Sequence, residues 1–126
     1  MMILLILQLI VAPDHRLTPG LIRTNISAVE SCATRWSLDA RHVTTRMRRQ
    51  VFQSYGIAWS DRRFYVVDHL IPRELGGADD LRNLWPQSKA NAKRKDVWEN
   101  RLHRDVCAGR MRFVDAQRIM RNWDRP

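Results

Sequence analysis

The chain has 126 residues and a formal net charge of +9, with 22 Lys and Arg against 13 Asp and Glu. This length holds one domain with a modest core and leaves no room for a second. At 44% hydrophobic and 28% charged, without repeat or low-complexity tract, the composition is globular and excludes a disordered or fibrous chain. Lys89, Lys93 and Lys95 are the only lysines, so the basic charge is nearly all arginine. The planar guanidinium fork suits phosphate oxygens, which makes nucleic acid the favoured partner class. A solvated basic surface with no dedicated partner is the alternative. An anionic membrane surface fits less well, because the arginines are spread over several segments and do not line one amphipathic helix.

Residues 1–12, "MMILLILQLIVA", form an apolar run broken only by Gln8. It is too short for a transmembrane span. It is similar to the apolar part of a secretory signal, with Ala12 as a cleavage position, but it lacks a positive start and is followed at once by Pro13. A buried N-terminal strand or helix is the competing reading; export to the periplasm or medium is favoured over the cytoplasm. Residues 13–126 then make the single domain. From 13 to 38, Pro, Gly, Thr and Ser at irregular spacing predict an extended or looping arm.

A helix is expected from Asp39, which can cap it. Val43, Met47, Val51 and Tyr55 recur every four residues until Gly56 stops the run. Its other faces carry Arg41, Arg46, Arg48 and Arg49, available to phosphate or merely solvated. The aromatic and β-branched stretch "RFYVVDHL" predicts a strand over 63–68, and 83–86 a second, ended by Pro86. Ser88 suits the N-cap of a long helix reaching about Cys107, where Gly109 supplies the stop. Asn91, Lys95, Trp98, Leu102 and Val106 share one face of it at steps of three and four. That line is polar at its start and apolar at its end, as in a helix whose first turns reach a site and whose later turns fill a core. Phe113, Ala116, Ile119, Met120 and Trp123 predict a short amphipathic C-terminal helix. Cys32 and Cys107 are too few for a four-cysteine zinc site; they form either one disulfide, which favours an oxidising compartment, or two buried thiols.

The polar positions between strands and helix carry the chemistry. Asp68 and His69 stand at a strand end, Asn83 follows fourteen positions on, and Asn91 eight further. With "DHLIP", "GG", "NLWP" and "NAKRK", this stretch resembles the HNH endonuclease motif, a strand–strand–helix unit built around one metal ion. The motif proper covers 66–95, roughly a quarter of the chain, and the core about 63–107. Elsewhere "TPGLI", "YGI", "VCAG" and "WENRLHRDVC" look like a group of small, often exported bacterial proteins with such a core.

The resemblance implies an α+β domain with a ββα-metal core and flanking helices, and a metal-dependent nuclease of low sequence specificity, on DNA ahead of RNA. It makes His69 the general base, a role imidazole fills near neutral pH. Asn83 would hold the loop and orient the His69 ring, and Gly76-Gly77 would permit the turn that brings Asn83 back. Asp68 and Asn91 would ligate one divalent ion, Mg²⁺ or Mn²⁺, since two hard oxygen ligands leave room for water and phosphate. Many members carry His where Asn91 stands, and the zinc-knuckle cysteines of some are absent, which leaves the stapling to a Cys32–Cys107 bridge. Arg73, Lys93, Arg94 and Lys95 are candidate phosphate contacts, beside Arg46, Arg48 and Arg49. His103 lies about 120° around the helix from Asn91 and about 18 Å along it at 1.5 Å per residue, and reads as a structural or surface histidine. Two rival functions remain: an HNH-shaped nucleic-acid binder without turnover, and an exported, disulfide-stapled interaction protein.

Overall fold

The computed structural model describes residues 12–36 and 42–123. The apolar run proposed as a signal, except for Ala12, and the cap proposed at Asp39 lie outside the described residues. The fold is α+β, with two antiparallel strands flanked by helices. Strand β1 (Tyr65–His69) pairs with β2 (Leu84–Ser88) in a register that sets His69 opposite Leu84 and Asp68 opposite Trp85. Both strands begin later than 63 and 83, because residues before each of them coil into a 3-10 turn, Trp59–Phe64 and Leu81–Asn83.

Helix α1 (Ala28–Ala33) lies inside the expected arm. Six residues are too few to show a hydrophobic period, but Ser27 caps the Glu30 amide and Glu30 stands three positions after it, which is a capping-box spacing. Helix α2 (Thr45–Ser54) starts at a Thr44 cap, with Thr44 Oγ1 accepting from the Met47 amide, and ends before Gly56 at φ 66°. Val43 therefore precedes it, while Val51 and Phe52 bury its inner face. Phe52 meets Trp59 and Tyr65 edge-on, at centroid distances of 5.1 and 5.8 Å.

Helix α3 (Lys89–Cys107) follows β2 directly and packs on both strands, and α4 (Phe113–Arg121) closes over its second half. Ile71, Leu75, Leu102, Val106, Ala116 and Met120 form the core between them. Two residues expected on buried faces are out in solvent instead: Trp98 is 46% exposed and Ile119 39%. On α3 the stripe runs through Lys95, Glu99, Leu102 and Val106, one position round from Trp98.

Cys32 and Cys107 are joined in a disulfide that ties α1 to the end of α3 across 75 positions. Closing a loop of that size restricts the unfolded chain by about 4 kcal/mol in the entropy model. The arm is also bound by backbone pairing: Gly20 and Leu21 donate to the Arg82 carbonyl, Arg23 donates to Gly76, and Ala78 donates to Leu21.

The paired glycines serve two needs. Gly76 takes the left-handed conformation at φ 87°, ending the 3-10 turn Arg73–Leu75. Gly77 has no room for a side chain, since a Cβ there would lie 1.7 Å from the Ile71 carbonyl oxygen. Gly77→Ala should therefore cost about 3 kcal/mol, as overpacking against a backbone atom does. Urea unfolding reads it, and a loss below about 1 kcal/mol would mean that the loop shifts at little cost.

Candidate catalytic site

The end of β1, the loop after it and the first turns of α3 enclose a cavity of about 240 Å³, walled by Asp68, His69, Arg73, Glu74, Asp96 and Glu99. Trp36 completes the rim, with the guanidinium of Arg23 at 5.5 Å and that of Arg73 at 5.6 Å from its ring centre. A larger concavity of about 700 Å³ lies between α3 and α4, lined by Arg94, Trp98, Ile119, Met120 and Trp123. That second surface is arginine and apolar, without an acid–base pair, so the smaller cavity is the candidate site.

His69 is 5% exposed, and its Nε2 lies 2.6 Å from Asp79 Oδ1. Asp79 is itself held: its other oxygen accepts from the His42 amide at 2.9 Å, and Arg73 Nε stands 3.3 Å from Oδ1. Burial works to raise the Asp79 carboxyl, but the His42 amide, His69 and Arg73 outweigh it and hold the group below the usual carboxylate range. An ionised Asp79 can only accept, which assigns the proton to Nε2 and puts the lone pair of the neutral ring on Nδ1. A base oriented by a fixed carboxylate is the arrangement of an activated imidazole.

Asn83 does not orient that ring. Its side chain is fully buried and laces the loop: Oδ1 accepts from the Ile71 amide, and Nδ2 donates to the Ile71 and Ala78 carbonyls, at 2.9, 2.9 and 3.0 Å. The Asn83 carbonyl also accepts from the Leu70 amide. Asn83 thus positions the backbone that carries His69, and Asp79 sets the imidazole.

Lys95 has a different place from the one its charge suggested. It is fully buried and cannot reach a phosphate in solvent. Its ammonium donates to Asp68 Oδ2 at 2.9 Å, to the His69 carbonyl at 2.7 Å and to Glu99 Oε1, so all three N–H bonds are used. Burial disfavours the charge, but Asp68 and Glu99 more than restore it and raise the Lys95 group. Glu99 is raised as well, toward its neutral form: burial pushes its carboxyl up to about 8, with Asp68 and Asp96 adding and Lys95 opposing. Asp68 is thus the main counter-ion of Lys95, and Glu99 is shifted toward its neutral form.

This bears on a metal. Asn91 is half-buried on the first turn of α3 and is not among the side chains walling the cavity with Asp68. Among the described residues, no three His, Cys, Asp or Glu side chains converge at His69 closely enough to hold an ion. One oxygen of Asp68, Oδ2, is taken by the Lys95 ammonium, which leaves only Oδ1 to face an ion, so a full donor set for Mg²⁺ or Mn²⁺ is not prearranged among the described residues.

The remaining basic positions are dispersed. Arg73 is at the site; Arg94 stacks 5.6 Å from the Trp123 ring centre, and Lys93 is exposed beside it on α3. Arg46 and Arg48 are exposed on α2, and Arg49 and Arg62 cover Trp59 at 4.6 and 5.2 Å. Arg48 and Arg62 line a groove with Trp59 and Tyr65, an aromatic floor with basic rims. Asp79 and Glu99 carry site roles that sequence reasoning passed over. Glu99 was signalled by its place four residues after Lys95 on the inner stripe of α3, whereas Asp79 sits in a polar turn with no pattern to mark it.

In comparison with known proteins, the chain matches no family model, no curated protein and no solved structure.

Proposed function

We propose that the protein hydrolyses phosphodiester bonds of nucleic acid, DNA ahead of RNA, at an HNH-like site. The observation that carries this reading is the His69–Asp79 pair at a strand end, in a cavity that also holds Glu99, whose carboxyl burial pushes up. His69 would take a proton from water, and Glu99 would return one to the leaving oxygen; a pair of groups driven apart in proton affinity suits that division. Part of the carboxylate charge at the cavity is offset, although Glu74 and Asp96 also wall it. Asp68 is paired with Lys95, Asp79 is faced by Arg73, and burial shifts Glu99 toward its neutral form. The net charge of +9 and the Arg-lined Trp59 groove support a polyanion as substrate. A disulfide-linked protein is compatible with export, and no helix among the described residues is long and apolar enough to cross a membrane.

The second reading, a binder without turnover, is favoured by one observation: the Asp68 oxygen offered to a metal is held by Lys95. Incubation with plasmid and with RNA, in chelator and then in Mg²⁺ or Mn²⁺, separates the two. Cleavage is expected, with binding that weakens by a log–log slope near −0.9 per duplex phosphate contacted as salt rises. Salt-dependent binding with intact substrate under every condition would leave the binder.

A further inference from the structure

The disulfide has a third partner. The ligating atoms of Cys32, Cys107 and His103 all lie within 4.8 Å of one another. Cys107 and His103 are four residues apart on α3 and so share a face, and Cys107 Sγ lies 3.6 Å from His103 Nε2. In a tetrahedral zinc site with Zn–S near 2.3 Å and Zn–N near 2.0 Å, sulfur and nitrogen stand about 3.5 Å apart. The opposite ring nitrogen, Nδ1, faces Glu74 Oε2 at 3.7 Å. A carboxylate behind the non-ligating nitrogen is how metal-bound imidazoles are oriented and made more basic. Two cysteines, an imidazole turned with Nε2 toward them, and a carboxylate behind it are more than a disulfide needs.

We propose that Cys32, His103 and Cys107 form a redox-gated Zn²⁺ site, closed as a disulfide when oxidised and metal-binding when reduced. A dithiol supplies the two electrons: it becomes a disulfide and the Cys32–Cys107 bond becomes two thiols. Zn²⁺ then displaces both thiol protons to give two Zn–S bonds, with His103 Nε2 as third ligand and solvent as fourth. The sulfurs part to about 3.8 Å in that geometry, within reach of backbones whose Cα atoms are 5.6 Å apart. Both cysteines are exposed, which gives reductant and metal access. His103 Nε2 must exchange its 3.3 Å contact with the Ser31 carbonyl for the metal. Sulfur and imidazole ligands select zinc over magnesium or calcium. The three ligands lie outside the His69 cavity, which shares only its Glu74 wall with them, so the proposal stands whether or not the protein is a nuclease.

The test uses the full chain, reduced with a phosphine, stripped of metal and kept anaerobic. Zn²⁺ titration against a chromophoric chelator should show one tight equivalent, and Co²⁺ should give the thiolate charge-transfer and visible bands of a tetrahedral site. The oxidised protein should show neither. Glu74→Gln, which leaves all three ligands in place, should weaken Zn²⁺ by about 10- to 100-fold, and His103→Ala by at least as much. Should reduction loosen the fold, Zn²⁺ must then raise the melting temperature of the reduced protein. Absence of a tight equivalent, an unchanged melting temperature with zinc, or His103→Ala binding as tightly as wild type would each overturn the proposal.

Discussion

Lys95→Met is expected to destabilise the protein by about 3–5 kcal/mol, the cost of breaking a buried ion pair by removing one partner. Methionine follows the shape of the lysine stem, so the change isolates the ammonium. What remains is Asp68, Glu99 and the His69 carbonyl facing a methyl group. At about 3 °C per kcal/mol for a chain of this size, the melting temperature should fall by about 10 °C. The pH dependence identifies the cause. Carboxylates left without their cation in a buried site hold protons more tightly folded than unfolded, so the folded state of the variant binds more protons. Its stability is then greatest below the unfolded carboxylate range, near pH 4, and falls as pH rises. The deficit against wild type should shrink in acid and widen toward neutrality. A deficit independent of pH would point to packing. Lys93→Met, at an exposed position on the same helix, is the control and should change stability by less than about 0.5 kcal/mol.

His69→Ala should lower turnover by about 10²- to 10⁴-fold and leave nucleic-acid affinity nearly unchanged. The ring is buried against Asp79 and reaches substrate only through the small cavity, whereas the arginines that would attract phosphate lie on other elements. Asp79→Asn separates positioning from chemistry. An amide in that place can donate to Nε2 and favour the wrong tautomer, so turnover should fall while the acidic limb of the pH–rate profile moves. Single-turnover cleavage of a labelled duplex measures both variants, with thermal melting to confirm that each is folded. Full activity in His69→Ala would end the hydrolase reading and leave the binder in possession.

Much of the frame was legible because its signals are local. The β-branched run of β1, the stop after Cys107 and the two-faced pattern of α4 each follow from neighbours in sequence. Asp68 and His69 could be placed at a strand end for the same reason, and the Cys32–Cys107 bridge was one of two stated outcomes. What failed depended on contacts across the fold. Lys95 looked like one more phosphate ligand in "NAKRK", although its spacing to Leu102 and Val106 already put it on the inward stripe. Charge argued for the surface and periodicity for the interior; periodicity won because Asp68, 27 positions earlier, supplies the counter-ion. Asn83 could be seen to hold the loop, but the residue that holds the imidazole comes from inside the loop itself, where Asp79 and Asp80 are indistinguishable by pattern. Only the fold separates them: Asp80 caps the 3-10 turn through the Arg82 amide, and Asp79 turns inward to His69.

The arm before α1 is bound almost wholly to parts of the chain that come much later. Thr18 Oγ1 donates to the Leu84 carbonyl, Arg23 donates through its amide to Gly76, and Arg121 donates to the Gly20 carbonyl from 101 positions away. When the arm emerges from a ribosome none of those partners exists, and only its local turn at Asp14, closed by the Leu17 and Thr18 amides, can form. The sheet and α3 must form first and present the edge that the arm then lines. The order of synthesis and the order of assembly are thus reversed here: the arm is translated before the sheet and α3 and takes its place after them.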